Sequence, residues 1–198
     1  MPGAETFFLR GRLRAAGFAP RLFRFRSVGE RLQTNADRLA QFAAALPGEA
    51  VHFVGYSLGA VVTLRMFETA PPERSGRVVF LGPPLNGSRS ALRLAGLPGG
   101  KRMLGKCMLD VIAAGAAGPW TMPRDLGIIA GSAAIGLGSL LGALPQPHDG
   151  TVCVDETRLA GAKDHLVLAV SHTTMLFSSA VARQVCHFLL HGRFDRES

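Results

Sequence analysis

The stretch that most restricts what this chain can fold into is residues 50–59, Ala50-Val51-His52-Phe53-Val54-Gly55-Tyr56-Ser57-Leu58-Gly59. An apolar run with two β-branched valines predicts a buried strand. The pentapeptide Gly55-Tyr56-Ser57-Leu58-Gly59 predicts a sharp turn, and Ala60 through Phe67 predicts the start of a helix. A reversal this tight needs room at its two glycines, where a Cβ at 55 or 59 is expected to clash with the strand or the new helix. It leaves the Ser57 hydroxyl at a helix N-terminus, where free backbone N–H groups and the helix dipole favour negative charge. The competing reading is a helix merely capped by Ser57, with Gly55 and Gly59 as ordinary turn residues.

The rest of the chain alternates helical and strand patterns. Residues 4–16 predict a helix with Phe8, Leu9, Leu13 and Ala16 inward and Gly17 as its stop. Leu22-Phe23-Arg24-Phe25-Arg26 alternates as an edge strand with one wet face would. Between Glu30 and Leu46, the positions Leu32, Ala36, Leu39, Ala43 and Leu46 form one apolar helical face, closed by Pro47-Gly48. The helix after Ser57 ends before Pro71-Pro72. Strands follow at 77–81, 126–130 and 165–170, and an amphipathic helix at 180–191 has Val181, Val185, Phe188 and Leu189 inward. Residues 89–124 carry weak patterning and are expected to form a helix plus irregular cover, lid-like, over the site. The sum is one α/β domain over residues 1–198, a three-layer sandwich with a mainly parallel sheet of about five strands.

Composition narrows the function classes. Of the 198 residues 47% are apolar, enough for a sizeable core. Cys107, Cys153 and Cys186 are odd in number and lack metal-ligand spacing, which predicts reduced thiols, no disulfide framework and no zinc site. The formal charge of +8 permits contact with anionic surfaces. Its arginines, though, are spread along predicted elements without a nucleic-acid-binding signature, so no nucleic acid is expected and peripheral membrane contact stays open. The uncharged stretch 126–144 suits a buried strand and apolar loop better than a membrane span, given its five glycines, two serines and the Pro145 that follows. Met1-Pro2-Gly3-Ala4-Glu5 lacks the basic start and apolar core of a signal peptide, which sets a cytoplasmic expectation.

In an open parallel sheet, ligand sites lie beyond the carboxyl ends of strands, so partners of Ser57 are sought there. His172 follows the strand Leu166–Val170 and precedes a helix, which makes it the candidate base. His165 lies at the opposite end of that strand; His52 reads as a satisfied core histidine; His187 and His191 fall on the last helix; His148 is placed to line the cleft. For the acid, Asp149 sits in the turn Pro147-His148-Asp149-Gly150, with Asp155 as runner-up and a solvated turn aspartate as the alternative. A serine hydroxyl is a poor nucleophile near neutrality, so His172 would take its proton and Asp149 would orient the imidazole. The Leu58 N–H would supply an oxyanion donor. No metal or other cofactor is expected.

Four motifs in order, the elbow at 55–59, the loop Gly82-Pro83-Pro84-Leu85-Asn86-Gly87-Ser88, the acid turn His148-Asp149-Gly150-Thr151-Val152 and Val170-Ser171-His172, resemble the small bacterial α/β-hydrolases of the lipase and esterase group, including the minimal triacylglycerol lipases. The resemblance implies a serine hydrolase of carboxylic or lipid esters working through Ser57, His172, Asp149 and an acyl-enzyme, with Leu58, Tyr56 and Asn86 at the oxyanion and substrate side. Acyl transfer to another alcohol is the same chemistry with a different acceptor. Three departures stand out. Tyr56 replaces a frequent His and Ala60 a frequent Gly. The sequence also begins at the first helix, without the central strand and His-Gly turn that carry the second oxyanion donor in that group. A shortened start is therefore one expectation. Its functional counterpart is a non-catalytic or truncated hydrolase-fold binding protein; a basic protein that binds anionic lipid or nucleic acid is the third reading.

Overall fold

Alternation along one strand decides the layering. In β2 (Val78–Leu81), Val78 and Phe80 point to one face of the sheet and Val79 and Leu81 to the other, and all four are fully buried. Helices therefore cover both faces, as a parallel sheet requires. The computed structural model describes residues 6–135 and 144–196. Within them the elements run α1 (Phe7–Ala15), α2 (Leu32–Ala44), β1 (Phe53–Tyr56), α3 (Leu58–Thr69), β2, α4 (Arg89–Ala95), α5 (Gly100–Ala114), β3 (Leu126–Gly131), β4 (Asp164–Leu168) and α6 (Ser179–His191), with short 3₁₀ turns at Asp155–Thr157 and Thr174–Phe177. The sheet is four-stranded, wholly parallel and ordered β1-β2-β3-β4.

One face packs Phe53, Val78, Phe80, Leu126 and Ile128 against α2, α3, α5 and Trp120. The other packs Val79, Leu81 and Ile129 against Leu9 and Leu13 of α1 and Val181, Val185 and Phe188 of α6. The predicted apolar stripes of α2 and α6 are buried, except Leu46, which lies beyond the end of α2 and is half-buried. Helix ends use what lies nearby: Ser88 and Ser178 cap α4 and α6 through their hydroxyls, accepting from the Ala91 and Val181 N–H groups. The start of α2 has no capping side chain of its own, and Asp110 of α5 accepts from the Leu32 N–H instead, at 2.9 Å.

Two expectations are corrected. Residues 22–26 form no strand, so the sheet has four strands among the described residues rather than five. Backbone pairing needs a neighbour about 4.8 Å away. This segment instead lies beside α2, with the Phe23 ring 5.4 Å from that of Phe42 and the Arg26 N–H donating to Asn35 Oδ1 at 3.1 Å. Among the described residues β1 is consequently the outermost strand on that side. Residues 89–124 hold two helices, α4 and α5, with a non-helical break at Gly105 where the backbone meets Ser27 and Val28. No helix among the described residues is long and apolar enough to cross a membrane. Of the apolar stretch 126–144, residues 136–143 lie outside the described residues, as do residues 1–5 at the start of the predicted first helix.

Candidate active site

Ser57 stands between β1 and α3 with φ 50° and ψ −125°, a conformation that costs a non-glycine residue on the order of 1–3 kcal/mol. Backbone bonds hold it there: its N–H donates to Leu81 O at 2.8 Å, and its C=O accepts from Ala60 N at 3.0 Å. Gly55 is required, because a Cβ would come within 2.6 Å of Ala60 Cα. Gly59 is not required in this sense. A Cβ there would make only ordinary contact, 3.7 Å from Phe25, so the expected clash holds at one glycine of the pair. Leu58 opens α3, and its N–H has no intrahelical acceptor.

The acid turn and the histidine loop converge on this serine. Ser57 Oγ is 2.9 Å from His172 Nε2, and His172 Nδ1 is 2.6 Å from Asp149 Oδ2. The second oxygen of Asp149 accepts from the Thr151 and Val152 N–H groups at 2.9 and 2.7 Å, and the backbone of His172 donates to Asp149 O at 2.8 Å. Asp149 and His172 are buried, and Ser57 is partly exposed. Because the Asp149 oxygen accepts, Nδ1 carries the proton and Nε2 is left as the acceptor for the serine hydroxyl. This arrangement can move a proton from Ser57 to His172 while the carboxylate holds the imidazole in one tautomer.

Several supporting residues carried no such signal in the sequence. Gly82, just after β2 with φ +53°, lies under the acid-base pair: a Cβ would be 3.1 Å from His172 Nδ1 and 3.2 Å from Asp149 Oδ2. Gly131, the last residue of β3, would put a Cβ 2.7 Å from that of Asp149. Tyr56, expected at the substrate side, donates its hydroxyl to His172 O at 2.9 Å and lies with its ring 5.0 Å from the imidazole. It therefore positions the histidine loop. A strand residue preceding the serine was the available clue.

The remaining candidates are placed as follows. His148 is buried, and its Nδ1 accepts from Gly150 N, so it shapes the acid turn. Asp155 pairs with Arg89, 2.8 Å away, and not with His172; the hydrogen bond and charge of Arg89 hold its carboxyl below the usual range, against the small upward push of desolvation. Asn86 donates to the Asp155 and Arg158 carbonyls, which ties the loop and leaves its amide outside the Ser57, His172 and Asp149 contacts. His165 meets Thr157 at 2.9 Å, and His52 accepts from Arg77 N at 3.0 Å with its ring edge-on to Phe18. Burial lowers the pKa of both, helped by Arg158 for His165 and by Arg77 and Arg124 for His52. His187 and His191 face each other on α6, ring centroids 4.5 Å apart. Among the described residues no group of His, Cys, Asp and Glu is arranged to hold a metal ion.

Apart from these contacts, Arg10, Arg14, Arg21 and Arg24 line an open cleft of about 690 Å³ with Phe18 and Leu22. None of the four forms an ion pair among the described residues, and Arg10 Nε is buried without a hydrogen-bond partner.

No family model matches the chain, and no curated protein matches it in sequence. Solved structures do. The mature form of the Bacillus licheniformis lipase BlEst2 superposes with a TM-score of 0.58 at 18% identity, covering 74% of this chain and 69% of that one. The fold is lipase-like. The propeptide form of the same lipase gives a TM-score of 0.56 at 18% identity, over 74% of this chain and 38% of that one. At this identity the likeness is one of fold alone.

Proposed function

We propose that this chain is a serine hydrolase of carboxylic esters, with Ser57 as nucleophile, His172 as general base and acid, and Asp149 as the orienting carboxylate. The observation that carries the reading is the continuous chain of contacts Ser57 Oγ to His172 Nε2 at 2.9 Å and His172 Nδ1 to Asp149 Oδ2 at 2.6 Å, at a strained strand-helix turn. Such distances are within the reach that nucleophile activation needs.

In the reaction His172 Nε2 takes the Ser57 proton as Oγ bonds to the ester carbonyl carbon. The tetrahedral oxyanion lies near the Leu58 N–H and the positive end of α3. Collapse breaks the bond to the alcohol oxygen, which leaves with the proton from Nε2. Water then adds to the acyl-serine by the same route, its proton passing through His172 to Ser57, and the carboxylic acid is released. Asp149 stays ionised throughout and stabilises the imidazolium. A lipase-like fold suits a small-molecule ester substrate, and the same acyl-serine would pass its acyl group to another alcohol if water were excluded.

Labelling with a fluorophosphonate probe tests this directly, alongside hydrolysis of p-nitrophenyl butyrate by wild type, Ser57→Ala and His172→Ala. Wild type is expected to label and turn over, with losses of about 10³-fold or more in both variants. A folded wild type that neither labels nor hydrolyses would overturn the reading in favour of a non-catalytic binding protein.

A further inference from the structure

We infer that Glu156 is a positioning residue for the acid turn, and that its buried carboxylate sets where Asp149 meets His172. The inference rests on the serine-hydrolase reading above and adds to it a residue that touches none of the reacting atoms. Residues 147–157 belong to no strand of the sheet, so the place of Asp149 depends on what holds the turn from outside. Glu156 is 2% exposed, and a carboxylate stays buried to that extent only where charged or hydrogen-bonding partners meet it. Its Oε2 accepts from the Cys153 N–H at 2.8 Å and its Oε1 from the Arg89 N–H at 2.7 Å, with the Arg89 guanidinium 3.3 Å from Oε1. The backbone of the same residue makes a second tie: Glu156 O accepts from the Leu85 and Asn86 N–H groups at 2.8 and 2.9 Å. One residue thus joins the acid turn to the loop leaving β2 and to the first turn of α4.

The route from this carboxylate to Asp149 is one peptide unit long. The Cys153 N–H that Glu156 holds lies in the same rigid plane as Val152 O, and Val152 O accepts from the Asp149 N–H at 3.1 Å. The Val152 N–H, on the other side of that residue, donates to Asp149 Oδ1 at 2.7 Å and leaves Oδ2 to His172. If that plane turned, the first bond would break and the second would be misdirected. Two other side-chain ties reach the turn. Ser90 Oγ donates to Thr151 O at 2.7 Å, and Arg89 reaches the Asp155 carboxylate at 2.9 and 2.8 Å, an exposed pair of the kind that contributes little. Neither holds the plane bonded to Asp149. Both groups facing Glu156 are N–H donors, which suits a carboxylate, an acceptor at each oxygen; a glutamine would set its NH2 against one of them. A buried donor left unpaired in this way costs more than the made bond contributes.

The test compares wild type, Glu156→Gln and Glu156→Ala with a control, Gln184→Ala, whose parent side chain is also buried and holds two backbone groups, Asp195 N and O, at 2.8 and 2.6 Å outside the site. Each is measured by p-nitrophenyl butyrate kinetics, thermal unfolding and the proton resonance of His172 Nδ1. A short bond to a carboxylate moves that resonance downfield, and its loss in His172→Ala assigns it. Glu156→Gln is expected to lower kcat about 3- to 10-fold with KM within about twofold, and to move the resonance upfield; Glu156→Ala is expected to lower kcat about 10- to 100-fold. The glutamine variant, of nearly the same size, decides if the alanine variant does not fold. Gln184→Ala is expected to lose thermal stability and keep both kcat and the resonance. Glu156→Gln with wild-type kcat and an unmoved resonance, whether or not its stability falls, overturns the positioning and leaves the hydrolase reading standing. A folded wild type that neither labels with fluorophosphonate nor hydrolyses overturns the hydrolase reading alone if the resonance still moves in Glu156→Gln, and overturns both if it does not.

Discussion

Gly82→Ala perturbs the site without touching any reacting group. The new methyl would lie 3.1 Å from His172 Nδ1, 3.2 Å from its Cε1 and 3.2 Å from Asp149 Oδ2, the point where the two side chains meet at 2.6 Å. These distances require a displacement of a few tenths of an ångström. If a misplacement of 1 Å costs about 10²-fold, a third of that costs about 5-fold, and kcat should fall about 3- to 10-fold, a barrier increase of about 0.6–1.4 kcal/mol. Separately, φ +53° places an alanine in the left-handed region at about 1–2 kcal/mol. In a chain of this length that lowers Tm by about 2–8 °C. Gly87→Ala separates the two effects, since Gly87 has φ +85° with nothing within 4 Å of its added Cβ. It should lose comparable Tm and keep its kcat. The assay is steady-state hydrolysis of p-nitrophenyl butyrate with thermal unfolding of the same samples. Gly82→Ala with kcat within twofold of wild type, or Gly87→Ala with an equal loss of activity, would refute the reasoning.

Three further outcomes are expected. Tyr56→Phe removes the hydroxyl that binds His172 O, worth about 1 kcal/mol, and should lower kcat severalfold on acetate and butyrate with little change in KM; an unchanged kcat would remove the positioning role. Burial pushes the Cys107 and Cys153 thiols up to about 11, so iodoacetamide should modify them slowly in the native protein and rapidly once it is denatured, read by intact mass; rapid native modification would contradict the packing. His52 and His165 are held below their ordinary value by burial, so the unfolded chain takes up protons first as the pH falls. Their contribution to stability is present above about pH 6.5 and declines below it, so the urea midpoint should drop between about pH 8 and pH 5; a midpoint that rises over that range would reverse the sign.

What was legible in the sequence was what repeats along it or punctuates it. The stripes of α2 and α6 follow from apolar spacing, and the elbow from Gly55 and Ser57 in their flanks. His172 and Asp149 were candidates because the ends of parallel strands are where such groups can meet, and the structure places His172 against Ser57 and Asp149 against His172. Pairing was not legible: Leu22 to Arg26 has the composition of an edge strand, but a ladder depends on a neighbour that no local pattern specifies. The break in α5 likewise depends on a distant segment, through Val28 O accepting from Lys106 N and Ser27 O from Cys107 N. Asn86 was a substrate-side candidate only through the resemblance of its loop, and the carbonyls of Asp155 and Arg158 that its amide donates to lie far along the chain. Gly82 and Gly131 act by lacking a side chain beneath the pair, a role visible only once the pair is placed above them.

The cleft of Arg10, Arg14, Arg21 and Arg24 bears differently on the two ends of the reaction. On the proposed reading a neutral ester would arrive without feeling these charges and leave as a carboxylate anion, and Arg21 and Arg24 also line the cavity that reaches Ser57. On the proposed hydrolase reading, the product would be held by a field its precursor never felt, and its release would be slowed. Screening falls within about 8 Å at physiological salt and within about 3 Å at 1 M. Added salt would therefore loosen the product's hold and quicken saturated turnover, while the encounter of enzyme with neutral ester stays as it was.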